Sequence, residues 1–212
     1  MINSWLLLLV TFVVWALGHS LTAARPVKRL VRRTIGERTY AGFYRFVYNV
    51  VSFITFLPVL YVLAVYVPAT VIWTVPLPWA WLMLGVQGVG LLGLIISLFY
   101  TDALSFLGLR QVWRYLQGVP DPDPPAEFVS AGPYALVRHP LYLFSLLAIW
   151  FTPVLTLNIL LFNLLATLYF WLGSWHEERR LLAEFGRQYR HYQIKVPGFL
   201  PWPRSSRRRT LP

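Results

Sequence analysis

The chain has 212 residues, of which 57% are hydrophobic, 17% aromatic and only 13% charged. An ordinary soluble domain carries about 25% charged residues, so this composition indicates an integral membrane protein. Cysteine is absent, which excludes disulfides, thiolate metal sites and covalent thiol catalysis. The net charge of +11 could indicate nucleic-acid binding, but basic tracts beside membrane spans usually contact anionic lipid headgroups. We therefore expect membrane lipid, and no nucleic acid, as a partner.

Three stretches contain no Asp, Glu, Lys or Arg: residues 1–24, 46–101 and 139–176. A membrane-spanning helix needs about 20 apolar residues, so these stretches hold about one, two and two helices. Clusters of proline and asparagine at 67–78 and 152–158 divide the two longer stretches, because proline ends helices. The sequence thus predicts an all-α, polytopic fold. The predicted apolar helices are, in chain order, 2–22, 44–66, 78–101, 140–153 and 157–176, the last running on to about Phe185.

The basic residues predict how these helices are oriented. If the N-terminus lies outside, the inner segments are 23–45, 100–139 and 176–212, and they contain all 19 Lys and Arg residues. Because Lys and Arg are enriched on the cytoplasmic side, we predict an outside N-terminus and an inside C-terminus. No basic residue precedes Arg25, which favours a retained first helix over a cleaved signal peptide. The hairpin 140–176 has short helices, so it could stop short of a full crossing.

Few polar residues lie inside the predicted helices, which argues against a pump or channel, so we expect chemistry at the cytoplasmic face. A first cluster there is "GPYALVRHPLYL", residues 132–143. Pro140 suits the first turn of a helix, and the residue before a proline is kept out of the helical conformation. His139 is therefore predicted to be extended, beside free helix-start N–H groups that favour a carboxylate or phosphate. The alternative is that Arg138 and His139 only mark the inner side.

A second cluster is "HEERRLLAEFGRQYRHYQIKVPGFLP", residues 176–201. Glu177 and Glu178 lie where the last apolar helix leaves the membrane, and burying a carboxylate there is costly unless it is paired or hydrated. They are about 100° apart around a helix, so we expect one to face inward and the other to face water. Gly186 predicts a helix end or bend, after which "VPGFLP" folds back. The alternative is a solvated amphipathic helix with Glu–Arg pairs.

In this order the two clusters resemble the isoprenylcysteine carboxyl methyltransferase superfamily, which includes phospholipid N-methyltransferases. The resemblance covers residues 132–201, a third of the chain. Towards the N-terminus, the pair His19 and Ser20, an arginine at Arg25 and "YRFVYNVVS" at 44–52 are similar to bacterial membrane thiol S-methyltransferases of the methanethiol type. They are also similar to membrane proteins associated with nitric-oxide reduction.

The resemblance implies an S-adenosylmethionine-dependent methyltransferase of a bacterial or archaeal plasma membrane, with its active site facing the cytoplasm. The acceptor would be a thiol, a prenylcysteine carboxylate or an amine lipid. The cofactor would be enclosed by the last two helices and the C-terminal segment, and no metal site is expected. The residues implied in catalysis are Arg138 and Glu178. The residues implied to bind the cofactor are Tyr134, Ala135, Leu136, Val137, His139, Pro140, Tyr142, Glu177 and Glu178.

The predicted organisation has three parts: a membrane region with a basic loop and an amphipathic segment (1–130), a cofactor-binding region (131–201) and a basic tail (202–212). Two other functions remain open from the sequence. A sterol or steroid-type reductase has a similar C-terminal pattern of Arg-His and tyrosines. Such an enzyme binds NADPH, however, and would need additional arginines to bind its 2′-phosphate. A non-enzymatic membrane subunit would keep the fold and bind neither cofactor.

Overall fold

Helices make up most of the computed structural model, which describes residues 3–123 and 127–201. This confirms the all-α prediction, with one added two-stranded ribbon that the sequence did not predict. The predicted basic tail, 202–212, lies outside the described residues. The elements are, in order, α1 (Ser4–Ala23), α2 (Arg25–Ile35), α3 (Glu37–Val65), β1 (Val71–Thr74), α4 (Trp79–Tyr100), α5 (Ala103–Leu107), α6 (Leu109–Leu116), α7 (Pro133–Leu136), α8 (Pro140–Trp150), β2 (Val154–Thr156) and α9 (Leu157–Lys195).

All five predicted apolar helices are present, as α1, α3, α4, α8 and α9. Within the described ranges, four of them are long and apolar enough to cross a membrane, while α8 has only 11 residues. The chain is therefore an integral membrane protein. Two helices exceed their predicted bounds, since α3 begins at Glu37 and α9 continues to Lys195. Charged residues end an apolar stretch without ending the helix, because Lys, Arg and Glu are good helix formers.

The ribbon shows how far the α8–α9 hairpin extends. β1 follows α3 and β2 precedes α9, and the two strands pair antiparallel with Val71 opposite Thr156. The backbone N–H of Leu157 also donates to the carbonyl oxygen of Thr70 at 2.8 Å. Paired strands lie about 4.8 Å apart, so the turn between α8 and α9 reaches the same end of the bundle as the α3–α4 connection. The far end of the hairpin therefore lies beside the α3–α4 connection, although α8 itself has only 11 residues.

α1 packs antiparallel against α3, and α9 completes their core. Leu8, near the start of α1, and Val59, late in α3, belong to one buried cluster, and each is 1% exposed. His19, near the end of α1, bonds to Ser52, which lies earlier in α3. Phe162 of α9 packs against the same cluster. The start of α1 thus lies at the ribbon end of the bundle, and the end of α1 lies at the opposite end.

α4 holds α8 through a face of glycines. A Cβ atom at Gly90 would lie 2.7 Å from the backbone nitrogen of Ala148, and one at Gly93 would lie 2.3 Å from the ring of Phe144. The side-chain amide of Gln87 donates to the carbonyl oxygen of Ala148 at 2.7 Å. Small residues let two helices approach closely in a membrane, where packing drives association. This contact sets the position of α8.

Gly186 divides α9 into two segments. Its φ of 52° and ψ of −120° form a conformation that glycine adopts readily and other residues rarely adopt. The side-chain amide of Gln193 donates to Glu178 Oε2 at 2.7 Å across 15 residues, whereas a straight helix would separate them by about 22 Å. The second segment therefore turns back toward the first, and Tyr189 and Tyr192 become buried. The predicted bend at Gly186 is confirmed.

The glycine face of α4 leads to a stability prediction. Gly93→Leu should lower the free energy of unfolding by about 1–3 kcal/mol, because the new side chain overpacks the contact with Phe144. Gly88→Leu in the same helix is the matched control, since a Cβ atom at Gly88 would meet nothing within 4 Å. Thermal unfolding of both variants in detergent measures the difference. Equal unfolding temperatures would contradict the close packing of α4 on α8.

Candidate functional site

The start of α8 carries Arg138 and His139 at the end of the bundle opposite the ribbon. Pro140 lies in the first turn of α8, and the cap residue His139 has φ −122° and ψ 62°, outside the helical region as predicted. The preceding turn enters α7 through Gly132, whose φ is 58°. A Cβ atom at Gly132 would lie 2.3 Å from the ring of Tyr100. Glycine is thus required where the turn packs against α4.

The carboxylate of Glu178 joins three parts of the chain. Its Oε1 lies 2.7 Å from Arg138 Nη2 and 3.1 Å from His139 Nε2. Its Oε2 accepts a hydrogen bond from the side-chain amide of Gln193 at 2.7 Å. The Glu178 side chain is only 22% exposed, and a carboxylate removed from water is costly unless it is paired and hydrogen-bonded. The three bonds offset that cost. They connect the first segment of α9, which carries Glu178, to the start of α8 and to the second segment of α9.

Glu177 contacts the same imidazole ring at its other nitrogen. Glu177 Oε2 lies 3.4 Å from His139 Nδ1, and its side chain is 34% exposed. The prediction that one of the two carboxylates faces water is therefore wrong, because both lie against His139. Successive helix positions point about 100° apart. The imidazole of His139 contacts both carboxylates because its two nitrogens lie on opposite sides of the ring, Nδ1 toward Glu177 and Nε2 toward Glu178. The side chain of Glu177 is the more exposed of the two, at 34% against 22%.

The two carboxylates shift the protonation of His139. Burial by itself would lower the pKa of His139, but the hydrogen bonds and charges of Glu177 and Glu178 outweigh burial and raise it above its ordinary value. Burial would raise the pKa of each glutamate, but the hydrogen bond to His139 lowers it in both, and the charge of Arg138 contributes at Glu178. The cluster therefore favours a protonated ring between two ionised carboxylates.

The returning C-terminal segment binds the backbone of the first cluster. The N–H of Arg138 donates to the carbonyl oxygen of Pro197 at 2.9 Å, and the N–H of His139 donates to that of Gly198 at 3.3 Å. Arg138 Nη1 donates to the carbonyl oxygen of Gln193 at 3.2 Å. The predicted fold-back of "VPGFLP" is confirmed. The guanidinium of Arg138 is thereby held in place by both the second segment of α9 and the chain after it.

Aromatic rings line the site beside these charges. The rings of His139 and Tyr142 are stacked, with centroids 5.6 Å apart and planes 17° apart. Tyr142 in turn stacks on Phe170 of α9 with centroids 5.2 Å apart, and Phe199 lies 5.5 Å from His139. Near-parallel rings offer flat apolar surface to a planar ligand group. The site thus combines an aromatic wall with an accessible carboxylate.

Two buried polar atoms at this site have no hydrogen-bond partner within the described residues: Arg138 Nε and the hydroxyl oxygen of Tyr189. Tyr189 is 1% exposed and packs against Tyr192. Buried polar groups are bonded in the great majority of cases, so these two atoms are candidates to bind a ligand or water. Over residues 3–123 and 127–201, no group of three or more His, Cys, Asp or Glu side chains could hold a metal ion.

The residues that the sequence singled out separate into two groups. Tyr134 accepts a hydrogen bond from the Tyr192 hydroxyl at its carbonyl oxygen, and Val137 is fully buried. Ala135 and Leu136 are exposed, and their side chains stand outside the charged cluster. The predicted residues that the structure brings into one cluster are Arg138, His139, Tyr142, Glu177 and Glu178.

The sequence analysis missed Gln193, Gly198 and Phe199 as site residues. Gly198 and Phe199 belong to "VPGFLP", so the fold-back toward "RHP" was a signal that could have identified them. A Cβ atom at Gly198 would lie 3.4 Å from Arg138 Nη2, which shows how closely this segment approaches. Gln193 carries no comparable local signal, because its contact with Glu178 depends on the reversal at Gly186.

We expect the contribution of His139 to stability to depend on pH. The raised pKa means that this contribution is complete below the ordinary value of 6.5 and is lost as pH rises through the raised pKa. The contribution of Glu177 and Glu178 is complete above their ordinary value of 4.5 and is lost as pH falls through the lowered pKa. The parent should therefore exceed His139→Asn in unfolding temperature most strongly between these two ordinary values.

Thermal unfolding in detergent across this pH range measures the effect. A hydrogen bond to a charged group contributes about 1.5–3 kcal/mol, which sets the scale of the loss in His139→Asn. His191→Asn, at an exposed position of the same C-terminal region, is the control and should leave the profile unchanged. A difference between parent and His139→Asn that stays constant with pH would contradict the charged ring.

Several known proteins are similar to this chain. The methanethiol S-methyltransferase of Mycobacterium tuberculosis is 35% identical over 92% of this chain and 77% of its own length. Methanethiol S-methyltransferases 1 and 2 of Bradyrhizobium diazoefficiens are 38% and 39% identical over 64% and 58% of this chain. The matches cover 47% and 46% of those two proteins, so the chain spans about half of their length. No solved structure matches.

A family model described as NnrU protein matches residues 7–194. This range includes nearly all of the five apolar helices and the site residues from Arg138 to Gln193. The resemblance to methanethiol-type thiol methyltransferases that the sequence motifs predicted is confirmed by the relatives. With the match extending over most of its length, the chain belongs to the NnrU protein family.

Proposed function

We propose that this chain is an integral-membrane methyltransferase that transfers a methyl group from S-adenosylmethionine to a small thiol. Three relatives named methanethiol S-methyltransferase support the reaction and the acceptor class. The observation that carries the proposal is the convergence of Arg138, His139, Glu177 and Glu178 beside a wall of aromatic rings. These residues belong to the motifs on which the resemblance to membrane methyltransferases rests.

The groups at the site fit the charges and rings of S-adenosylmethionine. The cofactor carries a carboxylate and an ammonium on one part and a ribose and an adenine on the other. Glu177 is the anion that we assign to the ammonium. Arg138 Nε is buried and has no hydrogen-bond partner within the described residues, so the Arg138 guanidinium is assigned to the carboxylate. The stacked rings of Tyr142 and Phe199, with centroids 6.1 Å apart, offer apolar surface for the adenine.

Glu177 and Glu178 take different roles in this proposal. Both carboxylate oxygens of Glu178 are already bonded within the protein, so Glu178 positions Arg138 and His139. Glu177 contacts His139 and the hydroxyl of Tyr142, and it is assigned to the ammonium of the cofactor because its side chain is the more exposed of the two. When bound, S-adenosylmethionine supplies an electrophilic methyl group on a sulfonium. Holding an acceptor about 3–3.5 Å from such a group, and aligned with it, can supply roughly 7–11 kcal/mol.

Ligand-induced stabilisation tests the proposal directly. A ligand present at 100 times its dissociation constant adds about 2.7 kcal/mol to the stability. S-adenosylmethionine should therefore raise the unfolding temperature of the purified protein, and NADPH should not. Incubation with methanethiol and S-adenosylmethionine should yield dimethyl sulfide, measured by gas chromatography. Stabilisation by NADPH alone would indicate a reductase, and stabilisation by neither would contradict an enzyme of either kind.

Variants at the two carboxylates separate binding from positioning. Glu177→Gln should weaken S-adenosylmethionine binding about 10- to 150-fold, the loss of one charge-assisted hydrogen bond of roughly 1.5–3 kcal/mol, and it should destabilise the ligand-free protein less than Glu178→Gln, because Glu178 has the larger set of charged and polar partners. Glu178→Gln should also lower the unfolding temperature of the ligand-free protein. Arg138→Lys should weaken S-adenosylmethionine binding, because an ammonium group cannot make the two parallel hydrogen bonds of a guanidinium. Glu184→Gln, at an exposed position of the same helix, is the matched control and should change neither binding nor stability. If Glu178→Gln instead weakened binding more than stability, and Glu177→Gln did the opposite, the two roles would be exchanged.

We also propose that the site faces the cytoplasm of a bacterial plasma membrane. The start of α1 and the ribbon lie at one end of the bundle, and the site lies at the other. Lys and Arg are concentrated in the segments at the site end, which is the cytoplasmic pattern. Reporters fused at residue 1 and residue 212 should therefore respond on opposite sides of the membrane, the second inside. Labelling of both from one side would contradict this orientation.

A further inference from the structure

A second polar cluster lies inside the bundle, where α1 and α3 meet α9. His19 Nδ1 lies 2.9 Å from Ser52 Oγ, and His19 Nε2 lies 2.7 Å from the hydroxyl oxygen of Tyr48. The ring of Trp15 stacks on that of His19, with centroids 5.2 Å apart. These residues come from two helices that are long and apolar enough to span a membrane. An ionisable side chain in such a helix is costly and is usually functional, yet nothing in the cofactor site uses it.

The surroundings of His19 suit both a neutral and a protonated ring. A neutral imidazole has one donor nitrogen and one acceptor nitrogen, and a hydroxyl can serve either. A protonated ring has two donors, and the oxygens of Ser52 and Tyr48 can accept from both. The titratable groups that face it are Tyr48 of α3 and Tyr169 of α9, the latter with its ring centroid 6.2 Å away. No ion pair with α2 or any other element involves His19 in the described residues.

A groove beside this ring leads to the outer surface of the bundle. It has a volume of about 450 Å³, lies between α1 and α3, and is lined by both His19 and Ser52. Its other walls are mainly apolar. Val14 and Val51 on its rim are 65% and 47% exposed, on the face of spanning helices that contacts lipid. A small apolar molecule dissolved in the bilayer can therefore reach the imidazole without crossing water.

α9 places this cluster beside the candidate cofactor site. Tyr169 contacts the ring of His19 on one face of α9. Phe170, the next residue, stacks on Tyr142 on the neighbouring face. Consecutive helix residues differ by only about 1.5 Å in height. The two clusters therefore lie at nearly the same depth, one on each of two adjoining faces of the helix.

We propose that the groove and the His19 cluster bind the methyl acceptor, a small uncharged thiol, and that His19 takes its proton. This inference rests on the proposed thiol methyltransferase function. In the step, the sulfur–hydrogen bond breaks and the electron pair stays on sulfur. Ser52 receives the thiol proton and passes its own to His19 Nδ1. The Nε2–H then donates to Tyr48, which acts as a positioning residue.

The chemistry of thiols explains why a base is needed here. An ordinary cysteine thiol has a pKa of about 8.5, and apolar surroundings raise it further. Only the thiolate is a strong nucleophile. An uncharged thiol enters readily from lipid, so it has to lose its proton inside the protein. His19 lines the groove and also contacts Tyr169 of α9.

Cysteine accessibility tests the groove without relying on turnover. The chain contains no cysteine, so Ser52→Cys introduces a single thiol. In membranes it should react with methyl methanethiosulfonate roughly tenfold faster than Ser97→Cys, because accessibility governs thiol reactivity and Ser97 is 0% exposed. Excess dimethyl sulfide, a thioether of acceptor size, should slow labelling at position 52. Equal labelling rates at the two positions, or no slowing by dimethyl sulfide, would overturn the acceptor site.

Kinetics with methanethiol as the probe test the proton transfer. His19→Asn should leave S-adenosylmethionine affinity unchanged and lower kcat/KM near neutral pH by roughly 10²–10⁴-fold, the usual contribution of a general base. The deficit should shrink as pH rises toward the pKa of the thiol itself, because solvent then supplies thiolate. His191→Asn is the control and should match the parent. A deficit that is constant with pH, or lost cofactor affinity, would overturn the role of His19.

The two proposals fail in different ways. A parent protein that neither binds S-adenosylmethionine nor forms dimethyl sulfide would refute the proposed function. Protection of Ser52→Cys by dimethyl sulfide would still support the groove as a binding site for small sulfur compounds. A parent that turns over methanethiol while His19→Asn retains full activity would leave the methyltransferase intact and overturn the acceptor site.

Discussion

The carboxylate of Glu178 carries the contacts on which the candidate cofactor site depends. It pairs with Arg138 at 2.7 Å, contacts His139 at 3.1 Å and accepts from Gln193 at 2.7 Å. A carboxylate withdrawn from water requires such partners, and these partners come from the start of α8 and from the far segment of α9. The chain reversal at Gly186 is therefore coupled to the pairing of Glu178, since the contact with Gln193 cannot form in a straight helix.

The same helix serves two clusters. Toward α8, α9 presents Phe170, Glu177 and Glu178 to the charged and aromatic site. Toward α1 and α3, it presents Phe162 and Tyr169 to the apolar core and to the ring of His19. α9 is therefore the one element that contacts both the charged and aromatic site and the His19 cluster.

Membrane packing and site geometry are linked through α4. The close contacts at Gly90 and Gly93 set α8 against α4, and α8 in turn carries the cap residue His139. A helix of 11 residues is too short to span a bilayer by itself. The ribbon formed by β1 and β2 supports this short helix, because it joins the turn between α8 and α9 to the α3–α4 connection.

The sequence by itself determined the five apolar helices, the non-helical conformation of His139 before Pro140 and the bend at Gly186. Apolar length, the restriction before proline and the freedom of glycine all act within a few residues. Only the tertiary structure decided that both glutamates meet His139, 38 or 39 positions away. The tertiary structure alone also decided that the side-chain amide of Gln193 donates to Glu178. These contacts depend on how the helices pack and where the chain reverses, which no local pattern encodes.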